Sequence, residues 1–143
     1  MKVNNVFRIP SKTIKEFYTQ WIDFLTPIHG LSNKNKEILV EILVYRYELS
    51  QKISSEELLN DVLLNEDSKK YLKEKMNLKG NYLQVALFTL AEHKVLIKKP
   101  IDEFNERKFK YRINPMILPD MEVNDSHVVL QFNFDIKCNS QKQ

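Results

Sequence analysis

Leu78, Leu83, Leu87 and Leu90 follow one another at intervals of five, four and three residues, and this spacing constrains the chain more than any other feature. Leu83, Leu87 and Leu90 fall at i, i+4 and i+7, one face of a helix. Leu78 stands ahead of that helix, inside a break that runs Met76-Asn77-Leu78-Lys79-Gly80-Asn81. Asn77 suits the left-handed conformation that closes a helix, and Leu78 can plug the corner between two helices. The helix before the break is expected to start from Asp67 or Ser68 as cap and to bury Tyr71, Leu72, the stem of Lys75 and Met76. Beyond the second helix, Leu96 to Ile101 and Arg107 to Ile113 read as two strands, with a turn at Asp102 to Glu106. Phe109, Tyr111 and Ile113 alternate with Lys108, Lys110 and Arg112, a period of two with one apolar face. Lys69 to Ile113 is thus predicted to be helix, tight turn, helix and two-stranded ribbon.

The flanking segments add helices before this unit and a strand after it. Val3 to Ile9 reads as a short strand or extended arm ended by Pro10. Ser11 is the expected cap of a helix in which Ile14, Phe17, Tyr18, Trp21, Ile22 and Leu25 form an apolar stripe. An aromatic stripe of this kind can anchor a partner, but at helical spacing it is expected to be core. Thr26-Pro27 stops the helix, and Ile28 to Leu31 is a connector. Ser32 or Asn33 caps the next helix, whose Ile38, Leu39, Val40, Ile42, Leu43 and Val44 make it apolar on most sides and hence the central buried helix. Ser54 and Glu57 form a capping box for a short helix through Leu58, Leu59, Val62 and Leu63. Pro119 to Asp125 reads as a loop. Val128, Leu130, Phe132, Phe134 and Ile136 alternate with polar or smaller residues, a strand that must pair either within the chain or across an exposed edge with a neighbouring subunit. Asn139 to Gln143 reads as a frayed tail.

With 143 residues and 43% hydrophobic content, one domain with a real core is expected. Only Gly30 and Gly80 are present, which argues against a glycine-rich phosphate loop. The sequence has no apolar run of transmembrane length and no secretory leader pattern, so the expected location is cytoplasmic (host cytoplasm or virion if phage-encoded). Cys138 is the single cysteine and cannot form an internal disulfide. Charge is unevenly spread. Lys69 to Arg112 holds twelve Lys/Arg against five Asp/Glu, while the rest of the chain holds ten against fourteen. A basic centre between acidic flanks suits an anionic partner, although a solvated lysine-rich helix gives the same counts.

The leucine spacing, the closing Leu90-Ala91-Glu92-His93-Lys94-Val95-Leu96-Ile97 and the ending Tyr111-Arg112-Ile113-Asn114-Pro115 together resemble a winged helix-turn-helix domain, particularly those of small bacteriophage- or plasmid-encoded proteins. Lys94 stands where that family commonly has glycine. The resemblance covers about residues 28–118. It implies a mainly α chain with a small β component (α+β). Residues 1–27 would form an amino-terminal arm and amphipathic helix, 28–118 the winged core, and 119–143 a carboxy-terminal extension with one strand.

No catalytic constellation emerges. His29, His93 and His127 are far apart in sequence, no zinc spacing exists, and the acidic pairs Glu56-Glu57, Glu66-Asp67 and Asp102-Glu103 sit where capping or turns explain them. A non-catalytic chain without metal or cofactor is expected. The resemblance implies a double-stranded DNA partner met by the second helix and the wing. Asn81 and Gln84 can read adenine. Lys79, Lys98, Lys99, Arg107, Lys108, Lys110 and Arg112 can meet phosphates. The outward face of that helix argues the other way, because Tyr82, Val85 and Phe88 place apolar surface there and no Lys or Arg lies between Gly80 and Ala91. A helix apolar on both faces is expected to be covered, by the amino-terminal helix or by another chain. The alternative is therefore a phage virion or connector protein, open to forming a homo-oligomer, that assembles through Tyr82, Val85, Phe88 and the strand residues Leu130, Phe132 and Phe134.

Overall fold

The computed structural model describes residues 2–9, 13–102, 104–123 and 128–135. They form an α+β chain in the order β1 (Lys2–Ile9), α1 (Ile14–Phe24), α2 (Thr26–His29), α3 (Asn33–Ser50), α4 (Glu56–Leu63), α5 (Glu66–Lys75), α6 (Tyr82–Glu92), β2 (Leu96–Asp102), β3 (Asn105–Ile113), β4 (Asp120–Val123) and β5 (Val128–Asp135), with a 3₁₀ turn at Pro115–Ile117. β2 and β3 form an antiparallel hairpin, while β5 lies between β1 and β4 in a second antiparallel sheet.

The core is helical and is built around α3, in which Ile38 through Val44 are all buried. α1 packs on α3 and buries Phe17, Tyr18, Trp21 and Ile22, so its aromatic stripe is core. Burial pushes the Tyr18 phenol up to about 12 against the opposing field of Arg46. The Trp21 indole Nε1–H donates to the Ile117 carbonyl at 2.8 Å, across 96 residues of sequence. α6 contributes Leu83, Leu87 and Leu90, as expected, together with Ala86. Val95, Leu96 and Ile113 carry the same core onto the base of the hairpin.

One charge sits within this core. Glu41 on α3 is buried, and its carboxylate lies 2.7 Å from Lys15 of α1 and 3.4 Å from Lys75 of α5. Burial works against the anion, but the two ammonium groups outweigh it and hold the carboxyl below its ordinary range. His29 is also buried. Its Nε2 faces the Ile22 carbonyl at 2.8 Å, and its Nδ1 accepts the Leu31 N–H at 2.9 Å. A carbonyl can only accept, so these partners define the neutral ring protonated at Nε2.

Both helices of the central unit end alike. Past α5, the Asn77 N–H reaches the Glu74 carbonyl and the Leu78 N–H the Lys73 carbonyl, with Asn77 at φ 53°. Past α6, Lys94 N–H reaches Ala91 and Val95 N–H reaches Leu90, with Lys94 at φ 67°. These are two Schellman closures, in which a left-handed residue allows the following N–H groups to satisfy orphan carbonyls. Lys94 therefore adopts the conformation for which glycine is favoured. Its carbonyl accepts from the Asn114 side chain at 2.8 Å.

Several expected boundaries move. α1 is capped by Thr13, which accepts from Glu16 N–H; Ser11 lies outside the described residues. Pro27 does not end helical structure. It sits in the first turn of α2, which closes on Gly30 at φ 63°. Ser32, the first of the two candidates, caps α3. The cap of α4 is Ser55, not Ser54, because Ser55 is the residue whose hydroxyl meets the Leu58 N–H. The cap of α5 is Asn65, which accepts from Ser68 N–H at 2.8 Å. Ser68 cannot serve there, since its own hydroxyl is buried between the Val62 carbonyl and Tyr45.

The hairpin turn is tighter than predicted. Asp102 pairs with Asn105, and each takes a nearby backbone N–H on its side chain, from Phe104 at 2.9 Å and Arg107 at 3.0 Å. Residues 120–123, expected as loop, form β4. Neither backbone edge of β5 is left open, since β1 and β4 flank it. Pairing within the chain, through the amino-terminal strand, is thus the arrangement adopted. The side chains of Leu130, Phe132 and Phe134, and the positions of His127, Cys138 and the tail from Asn139, lie outside the described residues.

Candidate functional site

The largest concave surface among the described residues is a groove of about 780 Å³, walled by α4 and α5 on one side and by α6 and the hairpin on the other. Its position follows from the elements just described. β3 is the hairpin strand that approaches α4, and the turn after α5 sends α6 back across the floor, where Leu83 and Leu87 turn inward. The polar ends of Asn81 and Gln84 reach the groove from α6 and its first turn, and Phe109 and Tyr111 reach it from β3. Burial pushes the Tyr111 phenol above its ordinary value, which keeps it a neutral hydrogen-bonding group.

Charge dominates the rim. Lys69, Lys70 and Lys73 come from α5, and Arg107 and Lys110 from β3, against Asp61 and Glu66. Lys69 pairs with Glu66 at 2.9 Å, and Lys110 pairs with Asp61. Among the described residues no carboxylate pairs with Lys70, Lys73 or Arg107. Unneutralised cations on two facing walls set up a positive potential that a concave, low-dielectric surface concentrates.

The sequence-predicted cations divide into three groups. Arg107 and Lys110 line the groove with Asn81 and Gln84. Lys98 does not: its ammonium lies over the rings of Phe88 and Phe109, 5.1 and 4.7 Å from their centroids, a cation–π arrangement. Lys99 faces Lys110 across the hairpin and Arg112 faces Ile97. The lysyl and guanidinium charges of Lys99, Lys110 and Arg112 all act on Asp61, whose carboxyl is held below its ordinary value first by the Lys110 hydrogen bond. Lys79 and Lys108 are exposed and do not line the groove.

Lys69, Lys70 and Lys73 received no role from the sequence beyond the charge count. Their spacing of i, i+1 and i+4 was the available signal, because it places Lys69 and Lys73 on one side of the helix preceding the turn.

The outer face of α6 is open. Val85 is 55% and Phe88 49% exposed, and Tyr82 and Ile97 are exposed beside them. α1 does not cover this face, because its own apolar stripe is spent on α3. Phe88, Ala91, Glu92 and Ile97 border a shallower depression of about 450 Å³ between α6 and β2.

His29 and His93 lie close together. His93 Nδ1 donates to the His29 carbonyl at 2.7 Å, so one imidazole is enclosed and the other is tied to backbone. Among the described residues no cluster of His, Cys, Asp and Glu is arranged to hold a metal ion. No described helix is long and apolar enough to cross a membrane. No protein-family model, curated protein or solved structure matches the chain.

Proposed function

We propose that the chain is a non-catalytic DNA-binding protein of winged-helix type, with α5, the turn and α6 as the helix-turn-helix and β2–β3 as the wing. The observation that carries this reading is the set of unpaired cations Lys70, Lys73 and Arg107 on facing walls of one groove. Phosphates of a duplex strand occupy that groove, and Asn81 and Gln84, which also reach it, meet base edges or sugar oxygens. The first helix of a helix-turn-helix crosses the backbone in this way. Most of the affinity is then electrostatic and tolerant of sequence, because phosphate contacts position and do not specify. This suits a small regulator or a replication accessory factor.

The test is binding of a fluorescent duplex over a range of salt concentrations. Affinity should fall steeply with salt. Lys70→Ala, Lys73→Ala and Arg107→Ala should each reduce the slope by about one unit, because each frees one phosphate to keep its counterion. A chain that binds no duplex at low salt overturns the reading.

A second reading rests on the uncovered Tyr82, Val85 and Phe88. In it, the same scaffold is a phage virion or connector component and α6 is the assembly face. A stable oligomer that Phe88→Asp dissociates, in a protein without duplex affinity, is the result that favours it.

A further inference from the structure

The hairpin ends in an apolar point. Only Glu103 and Phe104 separate Asp102 from Asn105, and Phe104 is 96% exposed. Ile101, also exposed, stands behind it on β2. The turn is not loose, because the Asp102 and Asn105 side chains hold the N–H groups of Phe104 and Arg107. A phenyl ring held fully in water forgoes the transfer free energy that any apolar surroundings would return.

The surroundings of the tip narrow the choice of partner. Lys99, Arg107 and Lys108 are exposed on the strands just below it, so the apex is an apolar point inside a cationic collar. An anionic surface with an apolar interior complements it. Two such surfaces exist, a stacked nucleic acid and an anionic bilayer. Ile101 and Arg107 also line the groove, and Phe104 is three residues from each, within about 10 Å along an extended strand. Tip and groove are therefore one continuous surface, and a cleft accommodates a rod-shaped polyanion, not a plane.

We infer that Phe104 is a wedge that enters the minor groove of bound duplex and unstacks a base step, while Arg107 and the groove cations hold the flanking phosphates. The inference rests on the DNA-binding reading above. Apolar side chains inserted between base steps are an efficient way to bend DNA around a small protein, and flexible pyrimidine–purine steps give way most easily.

The experiment uses the full chain and a duplex carrying 2-aminopurine beside a TA step, with salt-dependent binding measured in parallel. The wild-type chain should raise the 2-aminopurine fluorescence several-fold at saturation. Phe104→Ala should bind with an unchanged salt slope but abolish that rise, and Phe104→Leu should keep part of it. Duplex binding by the wild type without a rise, or an equal rise with Phe104→Ala, overturns the wedge and leaves the groove reading intact. No duplex binding at low salt overturns both. Binding to phosphatidylserine-containing vesicles that needs Phe104, alongside a duplex signal that does not, overturns the wedge in favour of a bilayer. Because Phe104 is almost wholly exposed, circular dichroism of the variants should match the wild type.

Discussion

Lys110 of the hairpin and Asp61 of α4 form an ion pair across 49 residues of sequence, and this contact ties the outer strand of the hairpin to the helical core. Lys110 faces Lys99 in the strand register, a like-charge pair that destabilises a hairpin when nothing offsets it. Asp61 supplies the offset. It also withdraws one cation from the groove.

Removing the carboxylate should therefore have two opposite effects. Asp61→Asn is expected to loosen the hairpin, seen as faster amide exchange in β3, and to strengthen duplex binding at low salt. Asp61 is depressed in the folded state. Its pairing with Lys110 is thus complete above the ordinary carboxylate range and is lost as pH falls through the lowered value. The wild-type and Asp61→Asn proteins should differ at neutral pH and converge in acid.

Glu41 is expected to matter more to stability. Its carboxylate bridges α1 and α5 through Lys15 and Lys75, with the side chain 11% exposed. Glu41→Gln should cost about 1–2 kcal/mol in denaturant unfolding, the range for a charged hydrogen bond whose lysine partners remain partly solvated. The sign with pH follows from the depressed carboxyl: the contribution is present above the unfolded carboxylate range and disappears as pH falls through the folded value. The loss caused by the variant should shrink in acid.

Lys94→Gly should stabilise the protein. The lysine holds φ at 67°, and left-handed backbone costs a residue with a Cβ about 1 kcal/mol more than glycine. A rise in the thermal midpoint of about 3–5 °C is expected for a domain of this size. The groove lies elsewhere, so duplex affinity should not change.

His29→Ala should be severe. It leaves the Ile22 carbonyl and the Leu31 N–H without their buried partner, and each orphaned group costs about 1–3 kcal/mol. Denaturant unfolding should show a loss of this order or larger. His29→Asn, which restores one donor and one acceptor, should recover part of it.

The inner faces of the helices were legible because a helical period is local. The intervals from Leu78 to Leu90 carry their own geometry, and the left-handed turn at Asn77 follows from one residue type. Caps were legible only to within a few residues. Asn65, Asp67 and Ser68 are all competent, and the choice among them is made by Val62 and Tyr45, which occupy the Ser68 hydroxyl. β4 was missed because four residues carry too short a pattern to separate a strand from a loop.

The groove was half legible. Asn81, Gln84, Arg107 and Lys110 follow from their places on the second helix and the ribbon. Lys70 and Lys73 do not, because their helix comes opposite Arg107 only through the packing of the whole bundle. The same limit applies to the outer face of α6. Its apolar residues were visible in the sequence, but which helix would cover it depended on where α1 spends its stripe.

The hydrogen bond from Trp21 to Ile117 sets an order of events when the chain is made. α1 emerges early, yet its indole has no final partner until the hairpin and the turn that follows it have left the ribosome. Pairings this distant in sequence slow the search for the native state. During synthesis the first helix must wait with an apolar stripe uncommitted, and truncation just before Ile117 would leave it permanently so.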